Sequence, residues 1–427
     1  MSLSVNNMLG GGGSIKIENG TLNEYYSKSG SIPKNNFISI DESASVSEIE
    51  LYNAYEKGSN NFNKYTSTAK PVKMAENIWV TFYSSSSISV LKVIGSTCTV
   101  LLSNVYVGGL NPFSATRIDA NKLLISSYDN YLLVVTFSNE YSSATYGTKV
   151  SVGGTYSLCE TPDSDGRISC YRSNNSSYYS GHITVSGDVP TLSLENNNIS
   201  HNNTTPIIYN LMKYKDCYYA IGKKTTNSPY YYYYLVKIDS TLNLSTVMTL
   251  HSSASYELSS NDGEQSFPYI RYGRINFSNS FYSSSSSTDT GTYCFVVELD
   301  DLICKSYMSV SGVLPYGIIS LKNGNIGYKY NGSGAFYIMY SMNDDPFNKG
   351  TKILTTVNNF YNSLNRKQFL LGDTLVICAE KKNTTSQQRY AYMYPLTTNY
   401  KIVLGGSDGV LISDATTTIK GKVYEYV

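Results

Sequence analysis

The stretch Asn121–Glu140, "NKLLISSYDNYLLVVTFSNE", contains two apolar runs separated by a short polar segment. Apolar runs of this length, bounded by turn residues, are typical of β-strands, and two of them joined by a polar turn predict a hairpin. Similar pairs recur downstream, beginning at Gly166, Asp216, Tyr272, Gly324 and Asp373. The chain therefore repeats one hairpin unit six times.

The centres of the six hairpins follow one another at intervals of about 45 to 58 residues. This period is typical of the four-stranded blades of a β-propeller. A single blade cannot bury both of its faces, and a ring of blades packs each face against a neighbour. The sequence thus predicts an all-β protein with a β-propeller of six blades, or of seven if the hairpin Asn77–Val93 is a further blade. Two successive β-sandwiches are the alternative fold.

The predicted domain organisation follows from these repeats. The glycine-rich residues 1–13 are expected to form a flexible arm, residues 14–95 a small N-terminal β module, residues 96–404 the propeller and residues 405–427 a C-terminal strand or tail. The hairpin Asn77–Val93 is placed in the N-terminal module on this interpretation. Gly10–Gly13 are read as a linker, because four glycines lose much backbone entropy when they become ordered.

Composition excludes several classes of function. Only 15% of the 427 residues are charged and the net charge is +1, so we expect no nucleic-acid partner, which would require a basic face. No apolar run reaches the roughly 20 residues of a membrane-spanning helix. The N-terminus lacks the pattern of a signal peptide. Seven cysteines without a C-x-x-C pair predict free thiols and synthesis in a reducing cytoplasm, with Cys159–Cys170 and Cys294–Cys304 as the pairs that a hairpin would bring together.

Five consecutive tyrosines, Tyr230–Tyr234, begin the second strand of the third hairpin. Alternate side chains of a strand point to opposite faces, so these rings divide between the two faces of a blade. Packing between blades is the first interpretation. The second is that Tyr230 and Tyr231, next to the turn, contact a ligand.

The residue patterns of catalytic and metal sites are missing from the sequence. His182, His201 and His251 are far apart and are expected to be solvated surface side chains without zinc-ligand spacing. The segment Thr161–Cys170 resembles a calcium loop only in part and is predicted to be a plain turn. The repeats contain no Asp-box turn, so the sequence does not favour a propeller glycosidase. We therefore predict a non-enzymatic protein with no catalytic residue, no metal and no cofactor.

The hairpin loops are rich in Asn, Ser, Gly and Tyr, a composition typical of adaptable binding surfaces. If the repeats are equivalent blades, the loops lie together on one face of the ring and form a binding surface. The alternative is that nucleotide composition alone produced these loops. The predicted binding residues are Tyr128, Asn130, Asn175, Tyr178, Tyr179, Tyr230, Tyr231, Phe281, Tyr282 and Arg389.

The N-terminal segment Leu9–Thr21, "LGGGGSIKIENGT", resembles the opening of tail-fibre and receptor-binding proteins of phages, or of phage-tail-like bacteriocins, that act on Gram-positive bacteria. A glycine run is followed by Ser14-Ile15-Lys16 and then by the step Gly20-Thr21. That family often has an arginine where this chain has Asn19. The C-terminal segment from Gly409 to Val427 also resembles the endings of such proteins.

The resemblance implies a virion protein of the tail or baseplate. Its partners would be tail or baseplate proteins, contacted through Gly10, Gly11, Gly12, Gly13, Ile15 and Lys16, and a host cell-surface glycan or protein, contacted through the propeller loops. A homotrimer is common among such fibres, although no heptad segment here supports one. The alternative function is a structural tail or baseplate component without host contact, and a glycan-degrading enzyme is a third.

Overall fold

The structure is a computed structural model. It describes residues 20–46, 69–84, 86–95, 97–174, 177–200, 210–227, 230–251, 267–283, 289–309, 313–331, 336–342, 345–356, 368–381 and 388–426, together with the short pieces 3–4, 16–17, 49–50, 207–208 and 256–258. These residues are almost entirely β-strand. One short helix, α1 (Pro346–Lys349), begins after the N-cap Asp345. No helix in the described ranges is long and apolar enough to span a membrane.

The strands are named in chain order. Up to residue 106 they are β1 (Leu3–Ser4), β2 (Lys16–Ile17), β3 (Gly20–Ser27), β4 (Phe37–Val46), β5 (Ile49–Glu50), β6 (Val72–Ala75), β7 (Ile78–Ser84), β8 (Ser87–Ile94) and β9 (Thr97–Tyr106). Up to residue 251 they are β10 (Pro112–Asp119), β11 (Lys122–Ser127), β12 (Tyr131–Phe137), β13 (Ala144–Tyr146), β14 (Val150–Ser151), β15 (Ser157–Leu158), β16 (Ile168–Asn174), β17 (Ser177–Ser186), β18 (Val189–Ser200), β19 (Ile207–Ile208), β20 (Met212–Tyr214), β21 (Cys217–Asn227), β22 (Tyr230–Ile238) and β23 (Leu244–His251). The others are β24 (Tyr256–Leu258), β25 (Tyr269–Arg271), β26 (Arg274–Ser283), β27 (Asp289–Glu298), β28 (Ile303–Ser309), β29 (Val313–Ser320), β30 (Asn325–Asn331), β31 (Phe336–Ser341), β32 (Thr351–Thr356), β33 (Gln368–Leu371), β34 (Thr374–Lys381), β35 (Gln388–Leu404), β36 (Gly409–Leu411) and β37 (Gly421–Tyr426).

Six antiparallel sheets follow one another along the chain, and each is built from consecutive strands. They are blade 1 (β6–β9), blade 2 (β10–β14), blade 3 (β15–β18), blade 4 (β19–β23), blade 5 (β24–β28) and blade 6 (β29–β32). The main strands of each blade pair in chain order, and the short strands β14, β20 and β25 pair beside them with β12, β21 and β26. The all-β propeller predicted from the sequence, with its six-blade arrangement, is confirmed.

A further sheet, which we name the closing sheet, contains β33, β34 and the first part of β35 in the same order. Its fourth strand is β5, which precedes the blades in the chain and pairs antiparallel with Tyr392 and Met393. The closing sheet therefore joins strands from the two ends of the propeller unit. It contains the hairpin predicted from Asp373, whereas the hairpin Asn77–Val93, which the sequence left open as a seventh blade, lies in blade 1.

Strand β11 shows how the blades pack. In β11, Leu123 lies in an apolar cluster with Val80 and Phe82 of blade 1. The next residue, Leu124, lies in a cluster with Ile168 and Cys170 of blade 3. Neighbouring side chains of a strand point to opposite faces. A strand between two blades buries both faces, so its sequence is a continuous apolar run and does not alternate with polar residues.

Apolar clusters also connect the later sheets. Blades 3 and 4 share one cluster, blades 4 and 5 share another, and blades 5 and 6 share a third. Leu91 and Val93 of blade 1 pack with Phe369 and Met393 of the closing sheet. This cluster joins the closing sheet, the last of the repeat array, to blade 1, the first.

The remaining strands form a separate compact unit of residues 1–45, 322–324 and 397–427. Its sheet has the order β3, β37, β36, β4 and the last part of β35, and β3 also pairs in parallel with β35, which closes the sheet. Ile38, Ile402, Leu411 and Val423 are fully buried in its core. Glu425 accepts hydrogen bonds from Asn23 and Tyr25 and pairs with Lys322 at 2.7 Å.

The units divide the chain differently from the predicted domains. Residues 46–321 and 325–396 form the propeller unit, so the hairpin Asn77–Val93 lies in blade 1 and not in an N-terminal module. The C-terminal strands β36 and β37 pair with β4 and β3 instead of forming a tail. The alternation of residues marks these segments as strands, but it does not specify which strands they pair with. The predicted arm 1–13 lies outside the described residues except for Leu3 and Ser4.

Cys159, Cys170, Cys294 and Cys304, which were the candidates for hairpin disulfides, are free thiols. Among them, burial raises the pKa of the Cys159 thiol to about 12. These cysteines act as small apolar side chains in the packing between blades.

Candidate functional site

The six predicted hairpin turns connect the second and third strands of their sheets. They comprise residues 127–131, 174–177, 227–230, 283–289, 331–336 and 381–388. Because the sheets share one strand order and pack side by side, the described strand ends on either side of these turns lie at the same end of the ring. We name this end the tip face.

Two predicted binding residues lie in the first of these turns, between β11 and β12. Asn130 adopts a left-handed backbone conformation, with φ of 65°, which asparagine tolerates better than most residues. Its amide N–H donates to the carbonyl of Ser127 over 3.1 Å. Tyr128 is 36% exposed, and its ring meets the ring of Phe113 edge to face at 4.9 Å. The turn therefore presents one aromatic and one amide side chain at the surface.

Tyr128 and Asn130 line a cavity of about 420 Å³ between blades 2 and 3, which we name the tip-face cavity. The hydroxyl of Thr155 donates to Oδ1 of Asn130 at 3.2 Å. Arg172 lies on the opposite wall and donates from Nη1 to the carbonyl of Gly153 over 2.7 Å. The cavity thus combines an aromatic ring, an amide, a hydroxyl and a cation.

Arg172 is held in place by two tyrosines and two glycines. Its guanidinium lies 4.7 Å from the ring centre of Tyr179 and 5.9 Å from that of Tyr156. Gly153 has φ of +67°, and a Cβ at Gly154 would lie 2.0 Å from Nη1 of Arg172. A larger residue at position 154 would therefore displace the guanidinium, whereas Gly153 has open space around it and is favoured by its left-handed backbone.

One residue of the tip-face cavity, Tyr171, has an unsatisfied hydroxyl. Tyr171 lines the cavity and is 1% exposed. Among the described residues its hydroxyl has no hydrogen-bond partner. Burial raises the pKa of Tyr171, and burial also raises the pKa of Tyr156 against the opposing effect of Arg172. Both phenols therefore remain protonated at neutral pH and can donate a hydrogen bond.

The structure separates the two neighbouring tyrosines of the second turn. Tyr178 is only 4% exposed and stacks on Tyr171 at 5.6 Å between blades 3 and 4. Tyr179 points to the other face of β17, where it is partly exposed beside Arg172. The prediction that Tyr178 contacts a ligand is therefore wrong, because strand alternation places its ring in the core.

The five-tyrosine run follows the same alternation. Tyr233 is 1% exposed and packs with Phe277 of blade 5, while Tyr234 is 9% exposed and lies in the cluster between blades 3 and 4. Packing between blades is therefore confirmed for these two rings. Tyr230 and Tyr231 begin β22 opposite Asn227 and Thr225, and their side chains lie outside the described residues.

The other predicted binding and docking residues are only partly described. Phe281 and Tyr282 lie in β26 opposite β24, and Arg389 lies in β35 opposite Glu380, but their side chains lie outside the described residues. Asn175, Gly10–Gly13 and Ile15 lie wholly outside them. Lys16 belongs to β2, where its backbone pairs with that of Ser4.

A second group of polar residues surrounds Asp163, in the predicted turn before β16. Asp163 accepts hydrogen bonds from Ser169 at 2.7 Å, Tyr218 at 2.8 Å and Lys213 at 2.6 Å. His182 is 8% exposed, with Nδ1 2.6 Å from Oε1 of Glu195. The expectation of a solvated surface histidine is therefore wrong for His182, because the ring fills a space within a hydrogen-bonded network. The segment forms a turn, in which the amide of Gly166 donates to the carbonyl of Asp163 at 2.9 Å.

A larger cavity, for which the sequence has no local signal, lies on the axis of the propeller. This axial cavity has a volume of about 820 Å³ and is lined by the first strands of several blades and by the turns that follow them. Lys70, which precedes blade 1, is 6% exposed and lies within it. Its Nζ is 2.6 Å from Oε1 of Glu160, 2.5 Å from the carbonyl of Pro268 and 3.9 Å from the ring centre of Tyr269.

Burial dominates the electrostatics of the axial cavity. Burial lowers the pKa of Lys70, and the nearby Glu160 carboxylate opposes this shift. Burial also raises the pKa of Tyr269, whose hydroxyl accepts a hydrogen bond from the amide of Leu370 at 2.8 Å. These residues come from distant parts of the chain, so no local spacing in the sequence could have grouped them.

No family model matches this chain, and no curated protein matches it. Several solved structures are similar in fold. The polysaccharide lyase Uly1 is 8% identical with a TM-score of 0.42, and the match covers 84% of this chain and 99% of that chain. YCF48 bound to a D1 peptide is 12% identical with a TM-score of 0.43, covering 82% and 96%. The structure of U3-55K is 9% identical with a TM-score of 0.42, covering 82% and 98%. Similarity at this level does not extend to function.

Proposed function

We propose that this protein is a non-enzymatic attachment protein of a phage tail or a phage-tail-like particle, which binds a glycan on the host cell surface through the tip face of its propeller. Residues 10–16 would dock it on the tail or baseplate. The proposal for the N-terminus rests on the resemblance of Leu9–Thr21 to tail-fibre proteins. The proposal for the propeller rests on the tip-face cavity.

The tip-face cavity supports glycan binding because of its size and its polar groups. A volume of about 420 Å³ is within the range of small-ligand sites, which are usually apolar clefts with a few convergent polar groups. The ring of Tyr128 offers an apolar surface to a sugar. Asn130, Arg172 and the unsatisfied hydroxyl of Tyr171 offer hydrogen bonds to sugar hydroxyls. This buried, unpartnered phenol is the observation that carries the proposal.

The unpartnered phenol has an energetic meaning. A buried hydroxyl without a partner costs about 1 to 3 kcal/mol, and a ligand that accepts its hydrogen bond recovers part of that cost. A cavity of this size holds one or two sugar rings and not an extended protein surface. A glycan is therefore favoured over a host protein as the ligand.

Adhesion of the purified protein to Gram-positive host cells tests the proposal. Tyr128→Ser should weaken adhesion by about 2 kcal/mol, or roughly thirtyfold, as for an aromatic residue at the centre of an interface. Tyr146→Ser is the matched control, because Tyr146 is 49% exposed on the outer strand β13. Adhesion of the control should be unchanged.

The alternatives give different results in the same experiment. A purely structural tail component would show no adhesion and no competition with infection. A glycan-degrading enzyme would release oligosaccharides from cell-wall material, whereas the proposed attachment protein leaves the polymers unchanged in size. Equal adhesion of Tyr128→Ser and Tyr146→Ser would remove the tip-face cavity from the binding site.

The docking proposal has its own test. Deletion of residues 1–16 should prevent incorporation of the protein into particles and leave adhesion of the purified protein intact. Particles that still contain the shortened protein would contradict docking through this segment.

A further inference from the structure

The axial cavity contains two polar side chains whose hydrogen-bonding capacity is not used. Arg271 donates from Nη2 to Oδ1 of Asp373 at 2.6 Å, but its Nη1 is buried and has no partner among the described residues. Asn210 also lines the cavity and is 5% exposed. No hydrogen bond joins its side-chain amide to another described residue. A buried donor such as Nη1 of Arg271 is costly unless something binds it.

The charges around these two residues divide into satisfied and unsatisfied groups. Lys70 forms an ion pair with Glu160, and one guanidinium nitrogen of Arg271 forms an ion pair with Asp373. Arg117 and Lys73 also line the cavity, and neither has a carboxylate within salt-bridge distance among the described residues. Arg117 donates only from Nε to the backbone carbonyl of Asp119, at 3.0 Å. The cavity wall thus has four cationic side chains, Lys70, Lys73, Arg117 and Arg271, against three carboxylates, Asp119, Glu160 and Asp373.

The wall also includes an aromatic surface. Trp79, the only tryptophan of the chain, is partly buried in it. The ammonium of Lys73 lies 5.9 Å from the centre of the Trp79 ring. An aromatic ring with a cation beside it suits a ligand that has an apolar face next to a negative group.

We propose that the axial cavity is a second ligand site, which binds a sugar bearing a carboxylate or a phosphate group. The anionic group accepts hydrogen bonds from Nη1 of Arg271 and from the amide of Asn210, and Arg117 and Lys73 complement its charge. The sugar ring lies against Trp79. A volume of about 820 Å³ is large enough for such a molecule.

This second site does not depend on the proposed attachment function. The axial cavity and the tip-face cavity share no lining residue. A ligand of the axial cavity should therefore bind equally well to the wild-type protein and to Tyr128→Ser. Loss of binding in Tyr128→Ser would show that the ligand occupies the tip face and would overturn the axial assignment.

Isothermal titration of the full-length protein tests the proposal with four probes: glucuronate, glucose 6-phosphate, glucose and inorganic phosphate. The two anionic sugars should bind at least about tenfold more tightly than glucose, and the stronger of the two identifies the preferred group. Equal binding of glucose, or no binding of either anionic sugar, would overturn the proposal. Inorganic phosphate that binds as tightly as glucose 6-phosphate would overturn the role of the sugar ring.

Two variants locate the bound probe. Arg271→Gln should weaken the binding of the anionic sugar by about tenfold to a hundredfold, as expected for loss of a charged hydrogen bond. Because that change also removes the contact with Asp373, Thr161→Trp provides a second test that leaves every charged residue in place. Thr161 is an exposed residue of the cavity wall, so a tryptophan there narrows the cavity without replacing buried groups. Unchanged affinity in both folded variants would overturn the site.

Discussion

Nζ of Lys70 lies 2.6 Å from Oε1 of Glu160, and this pair joins blade 1 to blade 3 across 90 residues of sequence. The same nitrogen also meets the carbonyl of Pro268, next to blade 5. One buried ammonium therefore connects three blades at the axis of the propeller. Removing one partner of a buried ion pair lowers the free energy of unfolding by more than the pair itself contributes, because the other partner is left buried without an opposite charge.

Lys70→Met should lower the free energy of unfolding by about 2 to 4 kcal/mol. The carboxylate of Glu160 and the carbonyl of Pro268 would both lose their donor. Urea denaturation followed by tryptophan fluorescence measures the change. Lys73→Met is the control, since Lys73 is exposed and its replacement should change stability by less than about 0.5 kcal/mol. Equal stability of the two variants would contradict the structural role of Lys70.

Asp163 should make the stability of the propeller depend on pH in the acid range. Burial raises the pKa of Asp163, but hydrogen bonds from Lys213, Ser169 and Tyr218 outweigh burial and hold it below its usual value. A carboxyl whose pKa is lower in the folded state stabilises the protein above the unfolded pKa, which is about 3.9 for Asp. That contribution is lost as the pH falls through the folded pKa.

Asp163→Asn should therefore melt at a lower temperature than the wild type at pH 7, and the difference should shrink below about pH 4. Thermal unfolding at pH 7, 4 and 3 measures the difference. Asp301 is exposed and follows β27 of blade 5. Asp301→Asn should therefore have the same melting temperature as the wild type at each pH. If the difference in melting temperature between Asp163→Asn and the wild type stays constant down to pH 3, the effect arises from packing rather than from charge.

Gly181 in β17 should not tolerate a side chain. A Cβ there would lie 2.1 Å from the carbonyl oxygen of Ser193 in the paired strand. Gly181→Ala should cost about 2 kcal/mol of stability. Gly187→Ala provides the comparison, because Gly187 has φ of +64° and open space around it, so only backbone strain of about 1 kcal/mol applies. A variant at Gly181 as stable as the one at Gly187 would show that the strand pairing there is looser than the structure indicates.

Tyr178 should behave as a core residue and Tyr128 as a surface residue. Tyr178→Ser should reduce stability by about 3 kcal/mol, because it removes a ring that is stacked on Tyr171 between two blades. Tyr128→Ser should change stability by less than about 1 kcal/mol, because its ring is 36% exposed. Thermal melts of both variants check this contrast. Similar melting temperatures would mean that Tyr178 is not in the core.

The fold was predictable because each strand carries its own local signal. The apolar runs of β11 and β12 show that both faces of these strands are buried, and the spacing of the hairpins shows that the unit repeats. The position of Tyr128 and Asn130 at a turn followed from the same signal. The interpretation of Tyr178 failed because a tyrosine next to a turn has the same sequence context whether its ring points outward or between blades.

The axial cavity was not predictable for a different reason. Lys70, Glu160 and Arg271 are separated by about a hundred residues each, and each stands alone in its local segment. Only the closure of the ring brings the first strands of the blades around one axis. A sequence without aligned relatives contains no signal that connects such residues.

The amino-acid sequence by itself determined that this chain forms β-hairpins at a regular interval and therefore a propeller, because strand and turn preferences act over a few neighbouring residues. The tertiary structure decided that Asn77–Val93 is a blade, that β5 completes the closing sheet and that β36 and β37 pair with β4 and β3. It also decided which polar groups converge on the two cavities. These outcomes depend on pairing and packing between residues far apart in the chain, and the free energy of such contacts is defined only once the ring has closed.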